Sequence, residues 1–333
     1  MTLPFTRKTD ASMRCMMLII NPRSGNGDKR GMAERIAATL GAQDIKVDIA
    51  YTERPGHATE LAAKGAAEGY DAVIACGGDG TVNEVAKSLC DTGVPLAIIP
   101  AGSGNGLARH IALPMDLKGA MDVIVHGHTD DCDYGTVNGR HFFCTFGIGF
   151  DAAVSDRFAA SPSRGLSTYV RSAITELRSY RPRHYRMTVD GKTFETDAFI
   201  VTGANASQYG NNAYISPRSS IRDGLIDIVI VRSLPLYAMA GFGIDMMAGT
   251  LPDNRRIQVI SCREAVIERG VDGPGHVDGE PARLGAPLNV KCHPGGLRIY
   301  TPADKPAFVP VVTPLSSMFE GIGYSFKNLF SGK

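Results

Sequence analysis

The sequence predicts two domains of different kind: an α/β domain with a parallel sheet over residues 14–132, and an antiparallel β-rich domain over residues 133–302, followed by a tail at 303–333. Three observations predict this. Strand-like and helix-like periodicities alternate from residue 16 to about 130, the rhythm of a parallel sheet with helices on both faces. Three glycine-rich loops in that stretch each follow an apolar run of strand length. After about residue 130 the chain turns to alternating, β-branched runs separated by turn residues, the pattern of antiparallel strands.

Taken in order, Met16–Ile20 is a short apolar run that stops at Asn21-Pro22, which predicts a first strand. Met32–Leu40 has helical spacing, Ile45–Tyr51 alternates as a strand, and Ala58–Ala67 is a helix ended near Gly69. Ala72–Ala75 reads as a buried strand, the helix after it runs through Val85–Cys90, and Pro95–Pro100 is the fourth strand. In the second half, His141–Phe150, Arg183–Gly191, Thr193–Asn205, Gly224–Ser233 and Pro287–Pro294 read as strands. Two helical interludes, Leu166–Tyr180 and Pro235–Gly249, interrupt them, and Leu315–Phe330 has the spacing of an amphipathic helix that either packs back on the protein or lies on a membrane.

Bulk properties narrow the function classes. At 333 residues the chain can bury two cores. Hydrophobic content of 44% and charged content of 21% are those of a soluble globular protein. A net charge of +1 argues against a general electrostatic grip on nucleic acid, so no nucleic-acid partner is expected. The apolar runs are too short to span a bilayer, and the first of them reads as a strand rather than a signal peptide. Seven scattered cysteines without a C-x-x-C pair suggest reduced thiols and a cytoplasmic location, with Cys15, Cys76 and Cys144 as inert core residues.

The most informative stretch is Cys76-Gly-Gly-Asp-Gly-Thr-Val-Asn-Glu84. A strand that turns through glycines into a helix leaves backbone N–H groups aimed at one spot, where glycine permits close approach and the helix N-terminus favours negative charge. Asp79 within such a turn suits a bound Mg²⁺ or a positioned water or proton. Thr81 and Asn83 begin the helix, where they can cap it or meet a phosphate oxygen. The other two loops are Asn21–Gly27 and Pro100–His110. Since ligands of parallel sheets bind beyond the carboxyl ends of the strands, all three loops should converge on one edge. Arg109 and His110 can equally be solvated helix residues.

Other patterns leave two readings open. Val277–Pro281 contains an Asp-Gly hairpin turn, yet two acids flanking one glycine also suit a general base. Ser219–Asp227 is either a turn into a strand or a loop whose carboxylate and carbonyls hold a hard cation. Residues 157–192 carry eight basic against two acidic residues, with Arg164, Arg171 and Arg178 on one helix face. This is a solvated stripe or a surface for anionic membrane, worth roughly 1 kcal/mol per basic residue close to it.

With these motifs in place, residues 14–302 resemble the diacylglycerol kinase catalytic-domain superfamily, which includes bacterial soluble lipid kinases, sphingosine kinases and ceramide kinases, with NAD kinases more distant. The resemblance implies an active-site cleft between the two domains, holding ATP and a lipid head group. It implies a nucleotide loop at Gly77, Gly78, Asp79, Gly80, Thr81, Val82 and Asn83, and further contacts at Thr52 and Ser103. Glu280 matches the proton acceptor of the family's Asp-Gly-Glu turn. A structural Mg²⁺ site matches Ser220, Asp223 and Leu225, the outer two through their carbonyls. One departure stands out: the bacterial pattern Gly-Thr-x-Asn-Asp-Phe-Ala reads Gly102-Ser103-Gly104-Asn105-Gly106-Leu107-Ala108 here, closer to the sphingosine kinase form, so the lipid is not named.

The expected chemistry is Mg²⁺-assisted phosphoryl transfer from ATP to a lipid hydroxyl, diacylglycerol or of the sphingoid or ceramide type. ATP would lie across the loops at Asn21, Gly77, and Gly102 to Asn105. Asp79 would hold the catalytic metal and Glu280 would accept the proton. The expected partners are a lipid at the membrane surface, through peripheral contact, and a second copy of the chain. Two alternatives remain: an NAD kinase-like enzyme with a soluble acceptor, and a nucleotide-sensing regulator that binds without transferring.

Overall fold

The computed structural model describes residues 13–25, 29–159, 172, 175–176, 180–235 and 238–303. They fall into two units: one of residues up to Cys132 together with those from Gly295, the other of Asp133–Pro294. The basic face at Arg164, Arg171 and Arg178, the tail helix at 315–330 and nearly all of the interlude at 166–180 lie outside the described residues.

The first unit is built on four parallel strands, β1 (Arg14–Ile20), β2 (Ile45–Tyr51), β3 (Ala72–Gly77) and β4 (Leu96–Pro100), in the order β2-β1-β3-β4. β3 is buried along its whole length, which is why its sequence is an unbroken apolar run rather than an alternation. The helices are α1 (Lys29–Gly41), α2 (His57–Ala67), α3 (Asp79–Leu89), α4 (Gly106–His110) and α5 (Leu117–His126). α2 packs on α3, and α1 on α5. Ile36, Ile74 and Leu89 are fully or almost fully buried, each worth about 1.5–3 kcal/mol of transfer free energy. α3 begins at Asp79, two residues before the position expected from the sequence, so the acid sits inside the first helical turn.

The second unit is an antiparallel sandwich. Its strands are β5 (His128–Val137), β6 (Arg140–Phe142), β7 (Thr145–Gly149), β8 (Arg183–Val189), β9 (Lys192–Ala198), β10 (Ile200–Ala204), β11 (Ile226–Val231), β12 (Ile257–Cys262), β13 (Glu264–Glu268), β14 (Gly273–Val277), β15 (Glu280–Leu284) and β16 (Leu288–Thr301). Six form one sheet in the order β12-β11-β10-β7-β14-β15. β9, β8, β13 and the first residues of β16 form the facing one. Alternation along β11 divides its side chains between two cores. Ile226, Ile228 and Ile230 join Phe142, Phe146 and Tyr185 between the sheets, while Val229 and Val231 join Phe150, Phe199 and Phe242 on the other face. That second core is covered by α6 (Phe150–Ala159) and by the helix Met239–Ala248, which falls within the helical stretch expected from the sequence.

β5 and β16 each begin in one unit and end in the other. From Gly295 onward β16 groups with the first unit, and Ile299 pairs beside Leu96. Among the described residues, no helix is long and apolar enough to cross a membrane.

Candidate functional site

Parallel pairing puts the ends of four strands side by side, and three backbone hydrogen bonds tie the segments that leave them. Thr52 N–H donates to Ile20 (2.9 Å), Asn21 N–H to Cys76 (3.1 Å) and Ala101 N–H to Gly77 (2.8 Å). The three glycine loops therefore meet at one edge. Asn21 Nδ2 reaches across to Thr81 Oγ1 at 3.2 Å, joining the first loop to the second. At their closest backbone approach the second and third loops meet glycine to glycine: a Cβ built on Gly102 would overlap the Gly78 Cα.

α3 starts at this edge. Its cap residue, Gly78, is extended and offers no side chain to the first turn. An eleven-residue helix whose cap residue gives its first N–H groups no side-chain partner is what a phosphate needs. Thr81 and Val82 are buried, so Val82 offers a ligand only its backbone. Ser103 is exposed in the third loop, and Asn105 is buried, its side chain closing that loop through Gly102 N–H and Gly102 C=O (3.1 and 2.9 Å). Burial pushes the Cys76 thiol up to about 11, against a smaller opposing effect of Lys29, so this cysteine is inert despite its place beside the loop.

Asp79 has a task that the sequence did not reveal. Its two carboxylate oxygens accept the backbone N–H groups of Asn105 (2.8 Å) and Gly106 (2.6 Å). It thereby caps α4, a helix whose own cap residue, Asn105, is left-handed and gives no side-chain bond to it. Arg109, read as a possible solvated residue, donates from Nε to Gly104 C=O at 3.0 Å and closes the same loop. Glu84, at the end of the same motif, serves α2 in the same way. Its carboxylate accepts from Gly56 and Ala58 N–H (2.8 and 3.1 Å), capping α2 from 26 residues or more along the chain.

In the second unit, Asp278 and Gly279 both have positive φ (48° and 81°), forming the two-residue turn between β14 and β15 that an Asp-Gly pair favours. The Asp278 carboxylate accepts three backbone N–H groups, from Phe143 (2.9 Å), Cys144 (2.8 Å) and Thr145 (2.9 Å). The turn is thus a clamp as well as a hairpin. Glu280 is exposed at the first position of β15.

The Ser220–Leu225 loop turns on itself: Ser220 Oγ accepts Arg222 N–H (3.2 Å) and Asp223 Oδ1 accepts Leu225 N–H (3.1 Å). The Asp223 carboxyl is held above its ordinary range by partial burial first, with repulsion from Asp227 and Asp133 adding to it. Asp133 is buried and accepts Gly224 N–H at 2.7 Å. A divalent cation would relieve that repulsion. Among the described residues no three His, Cys, Asp or Glu side chains converge as metal ligands, so such a cation would depend on carbonyl oxygens.

Known proteins share this architecture. Residues 15–137 match the family described as diacylglycerol kinase catalytic domain, and residues 145–301 the YegS C-terminal NAD kinase beta sandwich-like domain. A diacylglycerol kinase of Mycobacterium tuberculosis (strain ATCC 25618 / H37Rv) is 34% identical over 65% of this chain and 72% of its own length. One from Staphylococcus haemolyticus is 28% identical over 87% and 89%. A crystal structure of a diacylglycerol kinase from Bacillus anthracis str. Sterne superposes with a TM-score of 0.71 over 89% of this chain and 99% of that one; at 24% identity it supports the fold alone. On its sequence and its architecture, the chain belongs to the diacylglycerol kinase catalytic-domain superfamily, a family of lipid kinases.

Proposed function

We propose that this chain transfers the terminal phosphoryl group of ATP to the hydroxyl of a lipid. The observation that carries this reading is the glycine-only approach of Gly78 and Gly102 beside the uncapped start of α3. The uncapped first turn of α3 has N–H donors for phosphate oxygens, and glycine at 78 and 102 lets the third loop pack directly against that turn, which a side chain on Gly102 would prevent. ATP, bound with Mg²⁺, supplies the phosphoryl group and the metal charge. The backbone N–H groups of residues 79–81 stabilise charge that spreads onto the phosphate oxygens. Thr52, Thr81, Asn83 and Ser103 offer hydroxyls and an amide along the same edge. Asp79 keeps the third loop in place and, with lone pairs to spare, is available to the metal as well. Glu280 takes the proton of the lipid hydroxyl, as its exposure permits. The Ser220 and Leu225 carbonyls with the Asp223 carboxylate would hold a second Mg²⁺, whose charge would offset the repulsion of Asp223 by Asp227 and Asp133.

The lipid class fits the names of the relatives, and diacylglycerol is the first candidate. Contact with the membrane is peripheral in this reading, and a pair of chains is a reasonable assembly. Labelled ATP offered to a total lipid extract, with mass identification of the product, tests the reading directly. A phosphorylated lipid that disappears with Glu280→Ala supports it. Label entering NAD and no lipid would replace it with the soluble-acceptor alternative. ATP binding without ADP release under any lipid mixture would leave a nucleotide sensor. Pelleting with anionic but not neutral vesicles, weakened by salt, supports the membrane contact; equal pelleting with both removes it.

A further inference from the structure

The second unit buries a polar cluster that none of this chemistry uses. Strand register sets up three of its members: β7 pairs Gly147 with Thr202 of β10 on one side and with His276 of β14 on the other. The first turn of α6 then brings Asp151 over Gly147. A Cβ on Gly147 would overlap both Asp151 Oδ2 and His276 Nε2, so only glycine lets them meet. Asp151 Oδ2 accepts from His276 Nε2 (3.1 Å), Thr202 Oγ1 (3.2 Å) and Tyr209 OH (3.1 Å), while Oδ1 accepts from Ala152 N–H (2.8 Å). Asp151, Thr202 and His276 are 6%, 0% and 2% exposed. So dry a carboxylate is tolerated because each oxygen is met by donors.

What this cluster does follows from where β14 leads. His276 lies two residues before Asp278 and four before Glu280 on the same hairpin. Asp278 is gripped by the N–H groups of residues 143–145, and Thr145 is the first residue of β7, two positions before Gly147. We infer that the Asp151–His276 couple is a positioning device for the Asp278–Glu280 turn, locking strand β14 to α6 so that the exposed carboxylate of Glu280 is presented in one place. Asp151 and His276 are positioning residues here and touch no substrate. The catalytic consequence rests on the lipid kinase reading; the mechanical one does not.

Two readouts on the full chain test this. The first is hydrogen exchange at the Phe143–Thr145 and Asp278–Glu280 amides. Asp151→Asn and His276→Ala should speed it about tenfold or more relative to the amides of β1 and β3. His276→Gln, whose Nε2 can still donate to Asp151, should restore slow exchange and guards against a variant that merely folds badly. The second readout is turnover of ATP with the lipid acceptor. kcat should fall by as much as about 100-fold in Asp151→Asn and His276→Ala while KM for ATP holds. Unchanged exchange at these amides in both variants overturns the inference. So does fast exchange with kcat intact, since the turn would then not carry the reactive group. A wild-type chain that phosphorylates no lipid would sink the functional reading alone, and the exchange result would still decide whether the couple holds the turn.

Discussion

Asp79→Ala separates what the structure says of this acid from what its sequence context suggests. In a glycine turn facing phosphates, Asp79 should be replaceable without cost to folding. In the structure its oxygens hold two backbone N–H groups of the third loop, at 2.8 and 2.6 Å. Hydrogen bonds to a charged partner are worth about 1.5–3 kcal/mol each, a gross figure of ~3–6 kcal/mol for the pair. The carboxylate is only half-buried, so water replaces part of what alanine removes, and about half survives, roughly 1.5–3 kcal/mol. At a slope of about 2 kcal/mol per M urea, the midpoint of the first unit falls by about 0.75–1.5 M. The chain has no tryptophan, so the transition is followed by circular dichroism, and the two units are allowed to melt separately. Asp79→Asn keeps one acceptor oxygen but turns an NH₂ toward an N–H, so it should recover less than half of the loss. A midpoint of Asp79→Ala that coincides with wild type would refute the clamp, and loss of phosphorylation in that variant would then point to metal or phosphate contact alone.

Three further outcomes follow from the same geometry. Asp278→Asn keeps one oxygen for three N–H groups and should cost the second unit about 2–4 kcal/mol in a urea melt, an unmoved melt removing that clamp. Because the Asp223 carboxyl is held above its ordinary 3.8, the folded chain binds that proton more tightly than the unfolded chain, and its contribution to stability declines as pH rises through the interval just above 3.8. At pH 7 without divalent cations, Asp223→Asn should therefore melt at or slightly above wild type, by about 2 °C at most for so exposed a group. Mg²⁺ should raise only the wild-type melting temperature; an equal rise in both variants dismisses the cation site. Glu280→Gln should abolish lipid phosphorylation while ATP binding measured by calorimetry is retained, and near-normal turnover would strip Glu280 of its role.

Much of the architecture was legible because it is written in periodicity. β3 and β4 are apolar runs between turn residues, and α1 and α2 carry their buried faces at helical spacing. The convergence of the three glycine loops was legible too, since parallel strands put their following loops at one edge. The start of α3 was misplaced because glycines beside Asp79 look like turn residues, whereas the helix dipole and tight packing on the third loop let it begin there. The partners of Asp79, Glu84, Asp278 and Asp151 were not legible at all. Each acts on backbone or side chains 26 or more residues away, apart from the contact of Asp151 with Ala152, and nothing local marks an acid as spent on a distant loop. His276 was hidden for the same reason: one histidine in a strand reads as surface until register sets it opposite a glycine.

Those long-range acids change how the site should be read. Asp71 accepts Cys15 N–H, Asp190 those of Arg263 and Glu264, and Asp272 that of Ala286, in addition to Glu84, Asp79, Asp133 and Asp278. Loops rich in glycine bring N–H groups without side chains to cap them, and an anionic oxygen from elsewhere in the fold is the strongest acceptor available. Proximity of an acid to a glycine loop is therefore weak grounds for assigning it to catalysis in this chain; it must be asked first which N–H groups it already serves. In the Asp278-Gly279-Glu280 turn the first acid is spent in this way. Asp278 has three N–H partners and a left-handed backbone, so it holds the turn. Glu280, two residues on, is exposed, and in the proposed reading it is the carboxylate that meets the lipid hydroxyl. Exchanging their side-chain lengths, Asp278→Glu with Glu280→Asp, keeps both charges yet should fail twice over: the longer arm misses the clamp and the shorter one falls short of the substrate hydroxyl.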